Sequence, residues 1–306
     1  MSTATLLVEL FTEELPPRAL RRLGDAFAES LSGGLRDRVF LTGGSAATPY
    51  ATPRRLAVSV THVLPVAPDK EVVDKLMPAK VARAPDGQPS EALKKKLAGI
   101  GRPQLATATL DASDGPDRVY VASDGKADYV YLRSLARGQT LLRGLQEALD
   151  EAIAKLPIPK VMSYPGPAAY WNAEKFVRPA HRLVALHGAD VVPVTALGLA
   201  AGRTSGGHRF LGRRDVEIAT ADAWAPTLEA EGKVVPSFDA RRAAIEAGLA
   251  KAAQGDRAIA PDALLDEVTS LVEWPVVYAG TFDPAFLAVP QECLILTMQQ
   301  NQKYFA

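Results

Sequence analysis

The sequence predicts a mixed α+β fold with partly antiparallel sheets and packed helices, and three observations carry that expectation. Short apolar runs of strand length occur at residues 5–11 and 56–64. Other segments repeat their apolar residues at helical spacing instead. The two kinds follow one another irregularly, which is not the strand–helix–strand alternation that builds a parallel sheet.

In chain order, Thr5-Leu6-Leu7-Val8-Glu9-Leu10-Phe11 is an apolar run short enough for a buried strand. Pro16-Pro17 opens a helix whose Leu20, Leu23, Phe27 and Leu31 share a face. Gly33-Gly34 and Gly43-Gly44 read as turns. Leu56, Val58, Val60, His62 and Leu64 alternate as one side of a strand with a partly polar face, closed by Pro65 and Pro68. From Pro78 to Gly101 the chain is basic and loop-rich, with a Pro85-Asp86-Gly87 turn and a short helix capped by Ser90. Strands at 118–123 and 129–133 meet around Asp124-Gly125 as a hairpin. Residues 140–156 hold the strongest helical period, ended by Pro157 and Pro159. That stop places a boundary between a region 1–160 and a region 161–306, a core module drawing on both being allowed. Beyond it come apolar segments at 182–187 and 191–199, a Gly/Arg-rich loop at 202–214, helices at 222–231, 238–253 (capped by Ser237) and 262–272, and a strand at Pro275–Gly280.

Composition narrows the function classes. Hydrophobic residues make up 47% and charged residues 23% of the 306, as in ordinary globular proteins. Lys plus Arg equal Asp plus Glu at 35 each, so a nucleic-acid face has to be a local patch and not a basic whole. The most apolar stretch, 182–202, is broken by His187, Asp190 and Pro193, which excludes a membrane span. The N-terminus lacks the basic region of a signal peptide. The lone Cys293 suits a reducing cytoplasm.

Motifs for metal or nucleotide chemistry are missing. The four histidines form no His-Glu-x-x-His, and no Cys-x-x-Cys exists. Gly202-Arg203-Thr204-Ser205-Gly206-Gly207 lacks the Lys-Ser or Lys-Thr of a phosphate loop. No serine sits in a nucleophile elbow, and no carboxylate pair declares an acid and a base.

Four polar clusters remain. Glu13-Glu14 before Pro16-Pro17 is explained first by helix-end electrostatics. Arg54-Arg55 precede a strand, and alternation sends adjacent side chains to opposite faces, leaving one free for a phosphate. Arg178 leaves an extended stretch before Pro179, at a sheet rim, followed by a His181 that reads first as a satisfied structural histidine. The loop 202–214 combines glycines that admit an anion close to the backbone with Arg203, His208, Arg209, Arg213 and Arg214. Its Phe210 is expected to anchor the loop by burial, stacking on an unpaired base being the sharper alternative.

These clusters also carry a family resemblance. Leu7-Val8-Glu9-Leu10-Phe11-Thr12-Glu13-Glu14-Leu15-Pro16-Pro17, Pro53-Arg54-Arg55-Leu56-Ala57 and Lys155-Leu156-Pro157-Ile158-Pro159-Lys160 resemble, in order, segments of the β subunits of bacterial two-subunit glycyl-tRNA synthetases. So do Phe176-Val177-Arg178-Pro179, Gly207-His208-Arg209-Phe210, Glu267-Val268, Ser270 to Val277, Phe286 to Pro290, and Gln302-Lys303-Tyr304-Phe305. The match departs at residues 163–175.

The resemblance implies a subunit of a cytoplasmic α2β2 ligase that joins glycine to tRNA(Gly), consuming ATP and releasing AMP and diphosphate. It implies that the α subunit holds the catalytic core and uses ATP and magnesium, so that this chain carries no cofactor, metal or catalytic residue. The implied partners are that α subunit and tRNA(Gly), with neither DNA nor a membrane. Relatives of this kind continue into HD-like and anticodon-binding domains, so the chain is expected to stop short of both. The family's N-terminal region is similar to the B3/B4 module of phenylalanyl-tRNA synthetase. Arg54, Arg55, Arg178, Arg203, His208 and Arg209 are the expected RNA or subunit contacts. A scaffold role using Glu13-Glu14 and exposed apolar residues in 283–298 is the alternative. An editing hydrolase is the weakest, because glycine leaves no smaller amino acid to exclude.

Overall fold

Strand β1 (Ala4–Thr12) is buried along nearly its whole length, as its unbroken apolar run requires of a central strand. In the computed structural model, which describes residues 2–107, 117–166 and 173–306, a 3-10 turn at Pro17–Ala19 follows and leads into helix α1 (Leu20–Asp37). The predicted face is the one that packs: Leu20, Leu23, Phe27 and Leu31 are fully buried, each contributing roughly 1.5–3 kcal/mol of transfer free energy. Strands β2 (Ala47–Thr52) and β3 (Arg55–Val63) form an antiparallel pair. His62, expected among the apolar side chains of β3, is exposed with a left-handed backbone (φ 53°).

By their contacts, the residues form two units, 1–65 with 140–306, and 66–139. In the smaller unit, β4 (Lys70–Pro78), helices α2 (Ala79–Ala82) and α3 (Glu91–Gly99), β5 (Arg118–Ser123) and β6 (Asp128–Ala136) build an antiparallel sheet of order β4-β6-β5. Leu93 and Leu97 of α3 pack with Ala82, Val119, Val130 and Leu132 as its core. Ser90 caps α3 as expected, its Oγ accepting from Leu93 N at 3.3 Å. The sequence reading did not include β4. Its Lys-Glu-Val-Val-Asp-Lys run is mostly exposed and shows no apolar alternation.

In the larger unit the chain continues through α4 (Leu141–Lys155), β7 (Met162–Pro165), β8 (Ala173–Phe176), β9 (Ala180–His187), β10 (Asp190–Val191), β11 (Thr195–Ala196), β12 (Leu199–Gly202), β13 (Thr204–Gly206) and β14 (Asp215–Glu217). Helices α5 (Trp224–Thr227), α6 (Phe238–Ala252), α7 (Asp262–Thr269) and α8 (Gln291–Thr297) complete it. The main sheet runs β11-β12-β9-β1-β3-β2, with β10 also on β9. β1 is antiparallel to both β3 and β9, and β12 is parallel to β9. The β1–β9 pairing crosses residue 160, where the sequence reading set a boundary. Leu7, Ala57, Val184 and Leu186 of one sheet face pack with Val216, Ile218, Trp224, Leu228 and Val234. Helices α1 and α4 pack together, and α1 also contacts β2 and β3.

Three local expectations are corrected. Gly33-Gly34 form no turn but lie inside α1. A Cβ on Gly34 would fall 2.9 Å from Ala148 Cβ, so its missing side chain permits the close approach of α1 and α4. Pro275–Gly280 is not a strand, and its Val276 and Tyr278 are exposed instead of paired in a sheet. The loop 202–214 is part strand: β13 pairs antiparallel with β14, leaving 207–214 as a hairpin tip. Of the atypical segment 163–175, residues 167–172 lie outside the described residues. No helix among the described residues is long and apolar enough to cross a membrane.

Candidate functional site

The segment after β1 is stitched to two others by backbone hydrogen bonds. Thr12 N donates to Arg54 O (2.8 Å), Leu15 N to Pro53 O (2.6 Å), and Glu13 N to Pro179 O (2.9 Å). The Glu13-Glu14 segment, the Pro53-Arg54 turn and the Arg178-Pro179 corner are thereby drawn together. The hairpin tip at 207–214 and the loop 270–274 close the other sides of a cleft of about 700 Å³. Glu13, Glu14, Arg54, Arg178, His208, Arg209, Phe210, Leu271 and Trp274 are among its lining residues.

Four of the six expected contact residues, Arg54, Arg178, His208 and Arg209, thus meet in one place. The Arg54 guanidinium lies over the Phe11 ring, 4.7 Å from its centroid, and its Nε is buried without an acceptor among the described residues. Burial first, and the neighbouring charge of Arg209 second, hold the Arg54 pKa below the ordinary arginine value. Arg178 donates from Nε to Glu14 O at 2.9 Å. Arg209 is half exposed and reaches Glu13 Oε2 at 3.3 Å and Glu14 Oε1 at 4.0 Å. Such long, solvent-facing pairs are worth about 0–1 kcal/mol and are readily exchanged.

His208 shapes the tip. Its Nδ1 accepts from the backbone N–H groups of Phe210 and Leu211, each at 3.2 Å. With Nδ1 acting as acceptor, Nε2 is the ring nitrogen left to donate. Phe210, expected to be buried, is 84% exposed. The turn is held by His208, so the tip has no need of an apolar anchor.

Arg55 is corrected. Its side chain is fully buried, with Nε donating to Glu9 Oε1 (3.1 Å), Nη1 to Glu273 Oε1 (2.9 Å) and to Thr52 Oγ1 (3.3 Å), and Nη2 to the Gly206 carbonyl. It cannot reach a phosphate from there. Arg203 lies elsewhere: it donates to the carbonyls of Ala189, Ile218 and Ala219 and does not line the cleft.

The buried acid beneath the cleft was not foreseen. Glu9 accepts from Arg55, from Ser205 Oγ at 2.6 Å and from Trp224 Nε1 at 2.7 Å. A carboxylate in the middle of an apolar strand demands a buried cation, and that signal was present in Leu7-Val8-Glu9-Leu10-Phe11. Beside it Arg241, fully buried, donates to the carbonyls of Ala51, Val235, Pro236 and Thr269. Burial pushes its pKa down to about 10, partly opposed by Glu273. Sequence pattern gave no hint of it: in α6, Phe238, Arg241 and Ile245 are the buried residues, and no apolar stripe marks the face they share.

Glu13 and Glu14 are not helix-end charges. No acid lies in the first turn of α1. Glu13 instead joins His181 Nε2 (2.9 Å) to Arg209 at the cleft wall. Burial alone would raise its pKa, but the His181 hydrogen bond and the charges of Arg54, His181 and Arg209 hold it below the ordinary carboxylate value. Among the described residues no group of three or more His, Cys, Asp or Glu side chains could hold a metal ion.

Comparisons with known proteins agree with the family resemblance. Residues 6–306 match the family model described as glycyl-tRNA synthetase beta subunit. The glycine–tRNA ligase beta subunit of Ralstonia nicotianae is 50% identical over 303 residues, covering 99% of this chain and 42% of the relative. That of Leptothrix cholodnii is 54% identical over 308 residues, covering 100% and 42%. That of Dechloromonas aromatica is 52% identical over 314 residues, covering 100% and 43%. The chain therefore spans under half the length of the curated relatives it matches.

Proposed function

The chain belongs to the glycyl-tRNA synthetase beta subunit family, and from that premise we propose that it is an RNA-binding, accessory portion of a glycine–tRNA ligase. In this reading the whole enzyme joins glycine to tRNA(Gly), forming AMP and diphosphate from ATP. The α subunit performs that chemistry with ATP and magnesium in the cytoplasm. The same reading takes the mixed sheet as the counterpart of the B3/B4 module.

The observation that carries it is the convergence of Arg54, Arg178, His208 and Arg209 on one cleft whose rim also presents Phe210. Guanidinium groups there neutralise and position phosphates. Gly206 and Gly207, expected to admit an anion close to the backbone, serve close packing: a Cβ on them would fall 2.4 Å from the Phe11 ring and 2.2 Å from Arg213 O.

The test is tRNA(Gly) binding by the full-length subunit with its α partner across a salt series. Arg209→Ala should weaken binding several-fold and reduce the slope of log affinity against log salt by about one. An unchanged slope in both Arg209→Ala and Arg178→Ala removes the cleft from the RNA path.

A second reading, docking to the α subunit or to the rest of the β subunit, is favoured by a different surface. Tyr278, Phe286, Leu287 and Leu296 are all more than half exposed, and a groove of about 660 Å³ lies among Tyr278, Phe286, Leu294 and Tyr304. Retention of α by a Phe286→Ser, Leu287→Ser double substitution would argue against that role.

A further inference from the structure

We infer that the cleft takes a single unpaired nucleotide of the RNA, its base against Phe210 and its phosphate beside Arg54 and Arg209, and not the backbone of a duplex. This rests on the RNA-binding reading above and gives it a substrate class.

Three features separate the two. The first is charge. Arg54, Arg178 and Arg209 face Glu13 and Glu14 across the same walls, leaving an excess of about one positive charge, since the buried Arg55 and Arg241 offset Glu9 and Glu273 in the interior. Duplex binding depends on neutralising many phosphates at once, and two carboxylates in the groove oppose that. One phosphate suits an excess of one.

The second is the aromatic surface. Phe210 stands 84% exposed at the hairpin tip, beside Leu211 at 57%, and Trp274 lines the opposite loop. A base inside a duplex offers no free face to such a ring, whereas an unpaired base does, and this stacking is the common basis of single-strand recognition. The backbone that carries the ring is also held ready. His208 fixes the backbone of Phe210 and Leu211, so the tip loses little freedom on binding.

The third is the pairing of donors with acceptors. The carboxylates that repel a second phosphate can accept hydrogen bonds from a ribose 2′-hydroxyl or an exocyclic amine. Arg209, on long contacts to Glu13 and Glu14, is free to turn toward an anion, and Arg54, over the Phe11 ring with a buried Nε that has no acceptor among the described residues, adds its charge at the same wall. A cleft of about 700 Å³ has room for one nucleotide.

The experiment measures binding of two probes to the full-length protein: a short unstructured oligoribonucleotide and a blunt-ended duplex RNA. Phe210→Ala should weaken the oligoribonucleotide about 10-fold, the loss expected for one base–aromatic stack, with duplex affinity unchanged. Phe210→Trp should restore the oligoribonucleotide. Because the ring is exposed, the thermal midpoint should not move, which separates recognition from folding. If Phe210→Ala changes neither probe while Arg209→Ala weakens both, the nucleotide inference falls and the RNA reading stands. Equal loss on both probes also overturns it. If no substitution in the cleft alters either probe, the RNA reading falls as well.

Discussion

Two layers of the larger unit use the same chemistry to opposite ends. In the lower layer Arg55, Glu9 and Glu273 are shut away with Ser205, Thr52 and Trp224, every contact short and every charge answered. In the upper layer Arg54, Arg178 and Arg209 face Glu13 and Glu14 at longer range, in contact with solvent. Arg54 and Arg55 are consecutive, and both approach the Phe11 ring. What divides them is that Arg55 is the first residue of β3, with its side chain fixed toward the interior, whereas Arg54 belongs to the turn. The lower layer specifies where the hairpin sits; the upper one remains available to a ligand.

The sharpest way to break this contrast is Arg55→Ala. It leaves Glu9 and Glu273 as buried, unpaired carboxylates and should cost about 3–5 kcal/mol, read as a lowered midpoint in urea. Arg54→Ala, next in the chain, should cost under about 1 kcal/mol by the same measurement. Equal losses would erase the distinction between the layers.

Glu9→Gln is the intermediate case. It retains an acceptor for Ser205 or Trp224 but leaves Arg55 with Glu273 as its single carboxylate, at a cost of about 1–3 kcal/mol. A wild-type midpoint would show that the cation is satisfied by Glu273 and the Gly206 carbonyl alone.

The smallest effect belongs to Glu13 and is a pH dependence. Its carboxyl is held below the ordinary value in the folded state. Its contribution is therefore fully present above the ordinary carboxylate pKa and is lost as pH falls through the lowered one. With Glu13 two-fifths exposed, solvent screening keeps the effect slight. Thermal midpoints followed from neutral pH into acid should fall less steeply for Glu13→Gln than for the wild type. Parallel curves would mean that the His181 and Arg209 contacts contribute nothing to the fold.

Much of this was legible in the residues. The α1 face of Leu20, Leu23, Phe27 and Leu31, the α4 period and the Ser90 and Ser237 caps are local signals, written in periodicity and capping chemistry, and each emerged as expected. What was misread depends on distant partners. Gly34 looks like a turn unless one knows that Ala148 lies against it. β4 is a strand because β6 offers it hydrogen bonds, and its own charged residues hide that. In the candidate site, residue type identified the four basic side chains that line the cleft. Alternation predicted that Arg54 and Arg55 would part company, but the division comes from Arg54 lying in the turn before β3. It could not say that Arg203 would be used up on three carbonyls, or that His208 would hold the tip and so free Phe210.

At the neck of the hairpin the chain passes residue 232 with nothing but backbone in between. His208 N donates to Gly232 O at 2.7 Å and Arg213 N to Glu231 O at 3.0 Å, while a Cβ on Gly212 would fall 1.9 Å from Gly232 O. Both stems are thus clamped to one fixed rail, and the bow between them has a set length. Residues 209–211 can change in kind, and so retune what the bow touches, whereas adding or removing one would throw the clamps out of step. Variation that alters preference without altering architecture has its natural home there.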